Sequence, residues 1–367
     1  MLDARITIAT FLSLLWLPLV VSLLTPDADV SLSEQRALAQ LPELGADWPA
    51  DFERYYDDRM GFRDNLVRAW AWLHIEGLGI SSSDSLIVGK DGWFFFGDES
   101  AVAQYRGLAR FERKALLNWG RVLEERRRWL SERGIRYLLV LVPNKHRIYA
   151  QYMPDGLPRV STRSQLDDLV DYLETESSVP FLDLREPLED AGRHARIYHK
   201  TDTHWNDLGA YAAYRAILHK LADQVPAFEA HEPVAVRPFE RTTPGLGLPR
   251  IVGLSKVYPE RSFDLRVAEP RAEVPRKQRA GWEDRVRRQL PFALGTGDER
   301  LPKAVMFRDS FANALVPYLS ESFSRIVYVW ERDVNPEVVE LEQPDVVIQE
   351  IAERFLGRAP RGINERP

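Results

Sequence analysis

Three residue types that together perform acyl transfer occur in two short stretches of the sequence. Asp202 and His204 lie two residues apart in TDTHWNDLG, and Ser310 follows the apolar run KAVMF in KAVMFRDSF. A serine hydroxyl becomes a nucleophile when a histidine takes its proton and a carboxylate orients that histidine. The alternative is local, because Asp, Ser and Asn (here Asn206) are also preferred helix N-caps. The residues alone predict either a catalytic triad or ordinary capped turns.

The segments around Ser310 indicate where this serine lies in a fold. KAVMF (303–307) has the length and composition of a buried strand, and FANALVPYLSESF (311–323) has a helical pattern. A turn between the two exposes the serine at the carboxyl end of a strand, and a following helix would aim N–H groups at a developing oxyanion. Arg308, Asp309 and Phe311, which flank the serine, are therefore candidates for oxyanion or substrate binding.

The rest of the chain supplies the elements that would position these residues. Apolar runs of strand length alternate with helical patterns, which predicts an α/β fold with a mainly parallel sheet. Ligands of such sheets bind beyond the carboxyl ends of the strands. The predicted strands are 135–145, 180–184, 303–307, 325–330 and 345–351, and the predicted helices include 113–134, 165–177 and 208–225.

The segments before this fold are predicted to be an anchor and a stalk. Residues 6–24 are uncharged, and a helix of that length spans roughly 28 Å, close to the hydrocarbon thickness of a membrane. Arg5 before it, with Asp27 and Asp29 after it, predicts export of the rest of the chain to the periplasm. We expect 1–24 to be a transmembrane anchor, or else a cleaved signal sequence.

Residues 25–84 are predicted to form a helical stalk, interrupted near Gly61, with a core-facing aromatic stripe that includes Phe52, Tyr56 and Trp70. SLIVGKDGWFFFG (85–97) predicts a hairpin. Residues 85–367 are predicted to form the main domain, and 226–302, rich in Pro, Gly and Arg, an irregular insertion with short hairpins.

Composition excludes several classes of function. The formal net charge is -6, from 49 basic and 55 acidic residues, which gives no support to nucleic acid as a partner. Cysteine is absent, so thiol nucleophiles, disulfides and cysteine zinc sites are excluded. The seven histidines lack H-E-x-x-H spacing, and no G-x-G-x-x-G or P-loop motif occurs. We therefore predict neither a metal nor a cofactor.

Six segments resemble those of the SGNH (GDSL-type) hydrolases, in circularly permuted order. That family usually begins with a strand ending in G-D-S and finishes with a D-x-x-H loop that opens the last helix. Here the later parts come first, and the early parts follow the insertion. In chain order the segments are YLLVLVP (137–143), FLDL (181–184), DTHWNDLG (202–209), VMFRDS (305–310), RIVYVW (325–330) and PDVVIQE (344–350).

A permuted sheet with an Asp-x-His pair resembles the alginate O-acetyltransferases AlgJ and AlgX, through the N-terminal anchor, GKDGWFFFG, VPNKHRIY, TDTHW and FRDSF. AlgX-type proteins carry a further C-terminal carbohydrate-binding module, and this chain ends soon after Phe355, so the resemblance is closer to AlgJ. It implies a three-layer α/β/α SGNH-hydrolase-like domain, circularly permuted. It also implies acetyl transfer to an exopolysaccharide, alginate or similar, with a membrane-bound O-acyltransferase as donor.

The resemblance implies Ser310 as nucleophile, His204 as base and Asp202 as orienting carboxylate. Arg308 replaces the glycine of G-D-S, and the strand 344–350 does not continue into G-x-N-D, so the usual side-chain oxyanion donor is missing. Backbone N–H groups near the serine, with Arg308 or Arg354, are the candidates that remain.

Three further questions stay open on the sequence. Trp205, beside the Asp-His pair, would either stack on a sugar ring or pack the loop. The same triad would serve a carbohydrate acetylesterase, with water as acceptor. A non-catalytic scaffold of a polysaccharide secretion complex is the third function, which the intact triad disfavours.

Overall fold

The computed structural model describes residues 4–24, 30–31, 36–45, 47–229, 231–274, 289–363 and 365. Parts of the predicted anchor (1–3), stalk (25–29, 32–35, 46) and insertion (230, 275–288) lie outside the described residues. The chain divides into two compact units, here called the N-terminal unit (Met1–Val88 with Pro244–Pro259) and the sheet unit (Gly89–Thr243 with Glu260–Pro367). The predicted division into anchor, stalk and main domain stays a prediction.

The elements are listed here in chain order. The helices are α1 (Ala4–Leu24), α2 (Trp48–Arg59), α3 (Arg63–Leu73), α4 (Glu99–Arg106), α5 (Arg113–Ser131), α6 (Lys145–Ile148), α7 (Gln165–Glu176), α8 (Arg185–His194), α9 (Asp207–Ala222), α10 (Gly247–Arg250), α11 (Val316–Leu319) and α12 (Pro336–Glu342). The strands are β1 (Val30–Ser31), β2 (Arg36–Ala37), β3 (Leu86–Val88), β4 (Phe94–Phe96), β5 (Arg136–Val142), β6 (Phe181–Asp183), β7 (Val236–Thr243), β8 (Glu260–Val267), β9 (Phe292–Leu294), β10 (Lys303–Phe307), β11 (Arg325–Val329) and β12 (Val346–Ala352).

The N-terminal unit contains one helix that is long and apolar enough to cross a membrane, Ala4–Ser22 within α1. Helices α2 and α3 end and begin on either side of Gly61, as predicted. The core-facing aromatic stripe was wrong, because Phe52, Tyr56 and Trp70 are exposed. The spacing of the aromatic residues indicates that they share one face of the helices, but it does not indicate whether that face is buried.

The sheet has the strand order β6–β5–β12–β10–β11–β9. Its pairs are parallel except for β9, which runs antiparallel to β11 at the edge. Strands β10 and β12 lie in the middle, with Phe307 opposite Gln349 in the register. Since the carboxyl ends of parallel strands meet at one edge, the residues after β5, β10 and β12 are brought close together.

The strands of this sheet are covered on both faces. Tyr137, Leu139 and Leu141 of β5 belong to one apolar cluster with buried residues of α5 and α7. Leu138 and Val140, which alternate with them, are equally buried on the other face. Burying each such side chain stabilises the fold by about 1.5–3 kcal/mol. The near-continuous apolar runs that predicted a buried parallel sheet are thus explained, and the predicted α/β/α layering is confirmed.

Two segments differ from the prediction. The predicted helix 311–323 is instead a 3-10 turn (Phe311–Ala314), the short helix α11 and a second 3-10 turn (Ser320–Ser322). Pro317 lacks a backbone N–H, which prevents one continuous helix. The predicted insertion contains the antiparallel pair β7–β8, which agrees with the hairpins expected there, but it also supplies β9 to the main sheet, which was not predicted.

Candidate active site

The structure brings Asp202, His204 and Ser310 together at the carboxyl edge of the sheet. Ser310 comes three residues after β10, and the Asp-His pair lies in the loop before α9. His204 Nε2 lies 2.7 Å from Ser310 Oγ, and His204 Nδ1 lies 2.5 Å from Asp202 Oδ1. The His204 side chain is 31% exposed, so a substrate can reach it. This arrangement can deprotonate a serine hydroxyl and stabilise the resulting imidazolium.

Local hydrogen bonds explain the shape of the Asp-His loop. The His204 backbone N–H donates to Asp202 Oδ1 at 3.1 Å, which closes a turn over the intervening Thr203. Asn206 caps α9 by accepting from the Gly209 N–H at 3.1 Å. Capping and chemistry therefore use different residues of the same loop, so the two interpretations of this stretch are compatible.

A buried lysine, which the sequence analysis did not single out, holds the backbone of this loop. Lys145 Nζ donates to the carbonyls of Phe94 (2.6 Å), Lys200 (2.9 Å) and Asp202 (2.8 Å), which uses all three ammonium donors. Burial lowers the pKa of Lys145 well below its usual range, while Asp202 and Glu260 oppose that shift. The available signal was its position three residues after β5, a buried parallel strand, at the edge of the sheet where ligands bind.

Glu260 fixes the other side of the loop. Its carboxylate accepts from the Thr201 N–H (2.8 Å) and hydroxyl (2.6 Å), and it pairs with Arg196 at 2.9 Å. Burial acts to raise the pKa of Glu260, but contacts with His199 and Thr201 and the charge of Arg196 outweigh it and lower the pKa to about 2. Glu260 begins β8, inside the predicted irregular insertion, so that segment helps to position the candidate site.

The depressed pKa of Glu260 predicts a pH-dependent contribution to stability. A pKa of about 2 in the folded chain, against an ordinary glutamate value of 4.5, corresponds to about 3 kcal/mol of unfolding free energy. A carboxylate with a lowered pKa gives this stability fully above its unfolded pKa and loses it as the pH falls through the folded one. Glu260→Gln should therefore destabilise the chain at pH 7, and the difference should shrink from about pH 4.5 towards pH 2.

Urea unfolding of both proteins, followed by tryptophan fluorescence between pH 2 and 7, measures this difference. Glu189→Gln, which changes an exposed glutamate of α8, is the matched control. A difference between Glu260→Gln and the parent that stays constant over the whole pH range would contradict the assignment.

Asp309, a predicted candidate for oxyanion or substrate binding, instead holds the turn around Ser310 through buried hydrogen bonds. Its Oδ1 accepts from the Phe311 N–H and its Oδ2 from the Ala352 N–H, both at 2.9 Å. Its own N–H donates to Glu350 Oε2 at 2.9 Å, and burial raises the pKa of Glu350 well above its usual range. Asp309 is 4% exposed and ties the turn to the end of β12.

The two aromatic candidates, Trp205 and Phe311, are buried and pack against each other beside His204. Trp205 is 1% exposed, and its Nε1–H donates to the Phe311 carbonyl at 3.0 Å. The rings of Trp205 and Phe311 meet edge to face at 5.1 Å, and Phe311 also lies 4.8 Å from the His204 ring. Of the two roles left open for Trp205, this geometry matches packing, because a buried indole cannot stack on a sugar.

The two arginine candidates occupy different positions. Arg308 is buried, donates to the Asp309 carbonyl and to Asn313 Oδ1 (2.7 Å), and stacks on Trp330; burial lowers its pKa. Arg354 instead faces Ser310, with Nη2 lying 3.5 Å from Ser310 Oγ. In the described part of the chain the Ser310 N–H has no hydrogen-bond partner. Arg354 and this amide are thus the groups best placed to meet an oxyanion.

Comparison with known proteins adds three findings. Residues 86–273, just over half of the chain, match a family described as "SGNH hydrolase-like domain, acetyltransferase AlgX"; this part contains Asp202 and His204 and ends before Ser310. The chain is 26% identical over 196 residues to the "Probable alginate O-acetylase AlgJ" of Pseudomonas syringae pv. tomato, covering 53% of this chain and 48% of that protein. It is 27% identical over 174 residues to the protein of that name from Pseudomonas aeruginosa, covering 47% and 42%.

The chain therefore spans about half the length of the curated relatives it matches. Among solved structures, Bacillus cereus PatB1 has a TM-score of 0.53 at 14% identity, over 72% of this chain and 95% of that one. At this level of identity the likeness is one of fold.

Proposed function

Because the chain belongs to the AlgX family of SGNH hydrolase-like acetyltransferase domains, we propose that it moves acetyl groups onto hydroxyls of an exopolysaccharide, alginate or a similar polymer. The observation that supports this most is the hydrogen-bonded series Ser310–His204–Asp202 at the carboxyl edge of the sheet. The names of the curated relatives agree with an O-acetylase.

The first half of the proposed reaction forms an acetyl-serine. Ser310 Oγ attacks the carbonyl carbon of the acetyl donor, and His204 Nε2 takes the hydroxyl proton across the 2.7 Å contact. The resulting imidazolium is held by Asp202 through Nδ1–H. When the tetrahedral intermediate collapses, the bond to the donor breaks, and the leaving group takes the proton from His204.

The second half returns the enzyme to its starting state. A sugar hydroxyl gives its proton to His204 Nε2 and attacks the acetyl carbonyl. Collapse of the second intermediate breaks the bond to Ser310 Oγ, which regains the proton from His204. In both halves the oxyanion would be met by the Ser310 N–H and by Arg354, whose Nη2 is 3.5 Å from Oγ.

We also propose a location and a donor. Helix α1 would hold the chain in the bacterial inner membrane with the sheet unit in the periplasm, since Ala4–Ser22 is long and apolar enough to span. A membrane-bound O-acyltransferase would bring acetyl groups across that membrane. The anchor would thus hold the enzyme at the same membrane as the acetyl donor.

The test uses the full-length chain in detergent with p-nitrophenyl acetate as an activated donor, with and without candidate polysaccharides. An acetyl group on Ser310, found by mass spectrometry of the digested protein, together with acetylated polymer, supports the proposal. Turnover of the ester that no polymer changes would instead indicate an acetylesterase. The absence of both acetyl-serine and turnover would indicate a scaffold.

Arg354→Gln should slow acetyl-serine formation by about 100-fold with little change in KM, because an oxyanion donor acts mainly in the transition state. The burst of p-nitrophenol in stopped flow measures this rate. Arg354→Lys, which keeps the charge, should recover part of it. A rise in KM at unchanged kcat would contradict the oxyanion role and assign Arg354 to binding alone.

A further inference from the structure

Helix α3 carries an exposed apolar face. Leu66, Trp70 and Leu73 are 54%, 59% and 52% exposed, and they follow one another at intervals of four and three residues. With 3.6 residues in each turn, this spacing places the three side chains within an arc of roughly 60°. Phe62, which is 41% exposed, stands at the start of the helix. These four residues, here called the α3 apolar face, form the kind of exposed apolar surface that marks an interaction site.

The opposite side of α3 holds the helix in the N-terminal unit. Ala71 lies on that side and is 1% exposed, and Ile75, one turn further on, is also buried. Asp64 and Arg68 lie on that side as well, about half a turn from Leu66. Because α3 packs through this side, its apolar face is left open to the surroundings of the chain.

The turn before α3 is joined to the end of α1, which belongs to the same unit. The Gly61 N–H donates to Ser22 Oγ at 2.8 Å, and the Ser22 hydroxyl donates to the Pro18 carbonyl at 2.8 Å. The contact is close, because a Cβ at position 61 would lie 2.3 Å from the Pro18 carbonyl oxygen and 2.7 Å from Val21 Cβ. Only glycine allows this approach.

This joint sets the height of α3 relative to the anchor. Ser22 ends the segment that is long and apolar enough to span a membrane. Pro18 comes one turn earlier, which is roughly 6 Å along a helix. When α1 spans the membrane, the start of α3 therefore lies within about one helical turn of the point where the span ends.

The composition of the α3 apolar face matches that height. Tryptophan is enriched at the boundary between headgroups and acyl chains, because its ring is apolar and its N–H is polar. Amphipathic helices with Trp, Phe and Leu on one side lie in this boundary, with the apolar side sunk by roughly 5–10 Å. Trp70, Phe62 and the two leucines form such a side, and Asp64 and Arg68 are kept away from it.

From this juxtaposition we propose that α3 lies in the plane of the periplasmic membrane surface, with Leu66, Trp70 and Leu73 inserted among the lipids. The inference rests on the anchor proposed above and not on acetyl transfer. It adds a second membrane contact to α1. A single spanning helix leaves the N-terminal unit free to turn about the helix axis, whereas two contacts restrict that rotation.

The experiment uses the absence of cysteine from the chain, which allows one cysteine at a time to be introduced and labelled with a nitroxide. Leu66→Cys and Trp70→Cys probe the apolar face, and Arg68→Cys, on the opposite side of α3, is the matched control. Leu14→Cys in α1 and Glu189→Cys in α8 serve as references for lipid and water. All five positions are exposed, so the labelled chains should fold like the parent.

The labelled full-length chains are placed in vesicles of phosphatidylethanolamine and phosphatidylglycerol. Electron paramagnetic resonance measures how often each label collides with O₂, which concentrates in lipid, and with a nickel complex, which stays in water. The ratio of O₂ to nickel collisions should be roughly fivefold higher at Leu66 and Trp70 than at Arg68, and should correspond to a depth of roughly 5–10 Å.

Water-like ratios at Leu66 and Trp70, with a lipid-like ratio at Leu14, would overturn the inference and leave the anchor intact. Few collisions with either reagent at Leu66 and Trp70 would overturn it in favour of a protein partner or a second copy of the chain on this face. A water-like ratio at Leu14 would overturn the anchor and the inference together. Failure of the proposed acetyl transfer is recognised separately, because none of these measurements depends on Ser310.

Discussion

Ser310→Ala should reduce acetyl transfer by about 10⁴- to 10⁶-fold, the range seen when the nucleophile of a triad is removed. The substitution deletes the Oγ that lies 2.7 Å from His204 Nε2, so no acetyl-enzyme can form. The fold should be unaffected, because the side chain hydrogen-bonds only with His204 and Arg354 among the described residues. The turn itself is held by Asp309, whose contacts remain.

Two measurements check this result. Intact-protein mass spectrometry after incubation with p-nitrophenyl acetate should find an added acetyl group in the parent and none in Ser310→Ala, and acetate transfer to polymer should disappear in parallel. Ser178→Ala, at an exposed position after α7, is the control for the loss of a hydroxyl. An acetyl adduct that persists in Ser310→Ala would mean that another residue is the nucleophile.

The fold was predictable because its signals are local. Strands β5 and β10–β12 are short runs in which apolar residues predominate, and burial on both faces of a sheet favours this pattern. The cyclic order of the segments then linked Asp202 and His204 to a serine that lies more than a hundred residues later. The continuous helix predicted after Ser310 was wrong because Pro317 lacks the backbone N–H that such a helix needs.

The supports of the candidate site were less predictable, because they depend on contacts between distant segments. Glu260 meets Thr201 across 59 residues, from a segment whose composition indicated only irregular structure. Lys145 donates to three carbonyls, that of Phe94 in β4 and those of Lys200 and Asp202 in the loop before α9. Buried lysines are rare, so the sequence alone predicts an exposed one.

The positions of Arg308 and Arg354 also depend on side-chain contacts that the sequence does not show. Arg308 is next but one to the serine, and Arg354 is 44 residues away, yet it is Arg354 that faces Oγ. Arg308 is held elsewhere, by Asn313 five residues along the chain and by the ring of Trp330. Proximity along the chain would favour Arg308, whereas side-chain packing places Arg354 beside the serine.

Asp202→Asn should lower the rate of acetyl-serine formation by about 10⁴-fold, through the tautomer of His204 and not through folding. Asp202 Oδ1 accepts from both the His204 backbone N–H (3.1 Å) and Nδ1 (2.5 Å), so a carboxylate keeps the proton on Nδ1 and leaves Nε2 free to accept from Ser310. An asparagine can turn its NH₂ towards Nδ1, which places the ring proton on Nε2, where it opposes the serine hydroxyl. The loop should keep its place, because Lys145 binds the Asp202 main-chain carbonyl.

Thr203→Ala removes a hydroxyl 3.2 Å from the same Nδ1 and should lower the rate of acetyl-serine formation less than tenfold. This makes it the matched control in stopped-flow measurements of the p-nitrophenol burst. If Asp202→Asn and Thr203→Ala had similar rates, the carboxylate would not be setting the tautomer, and the triad would reduce to a Ser310–His204 pair.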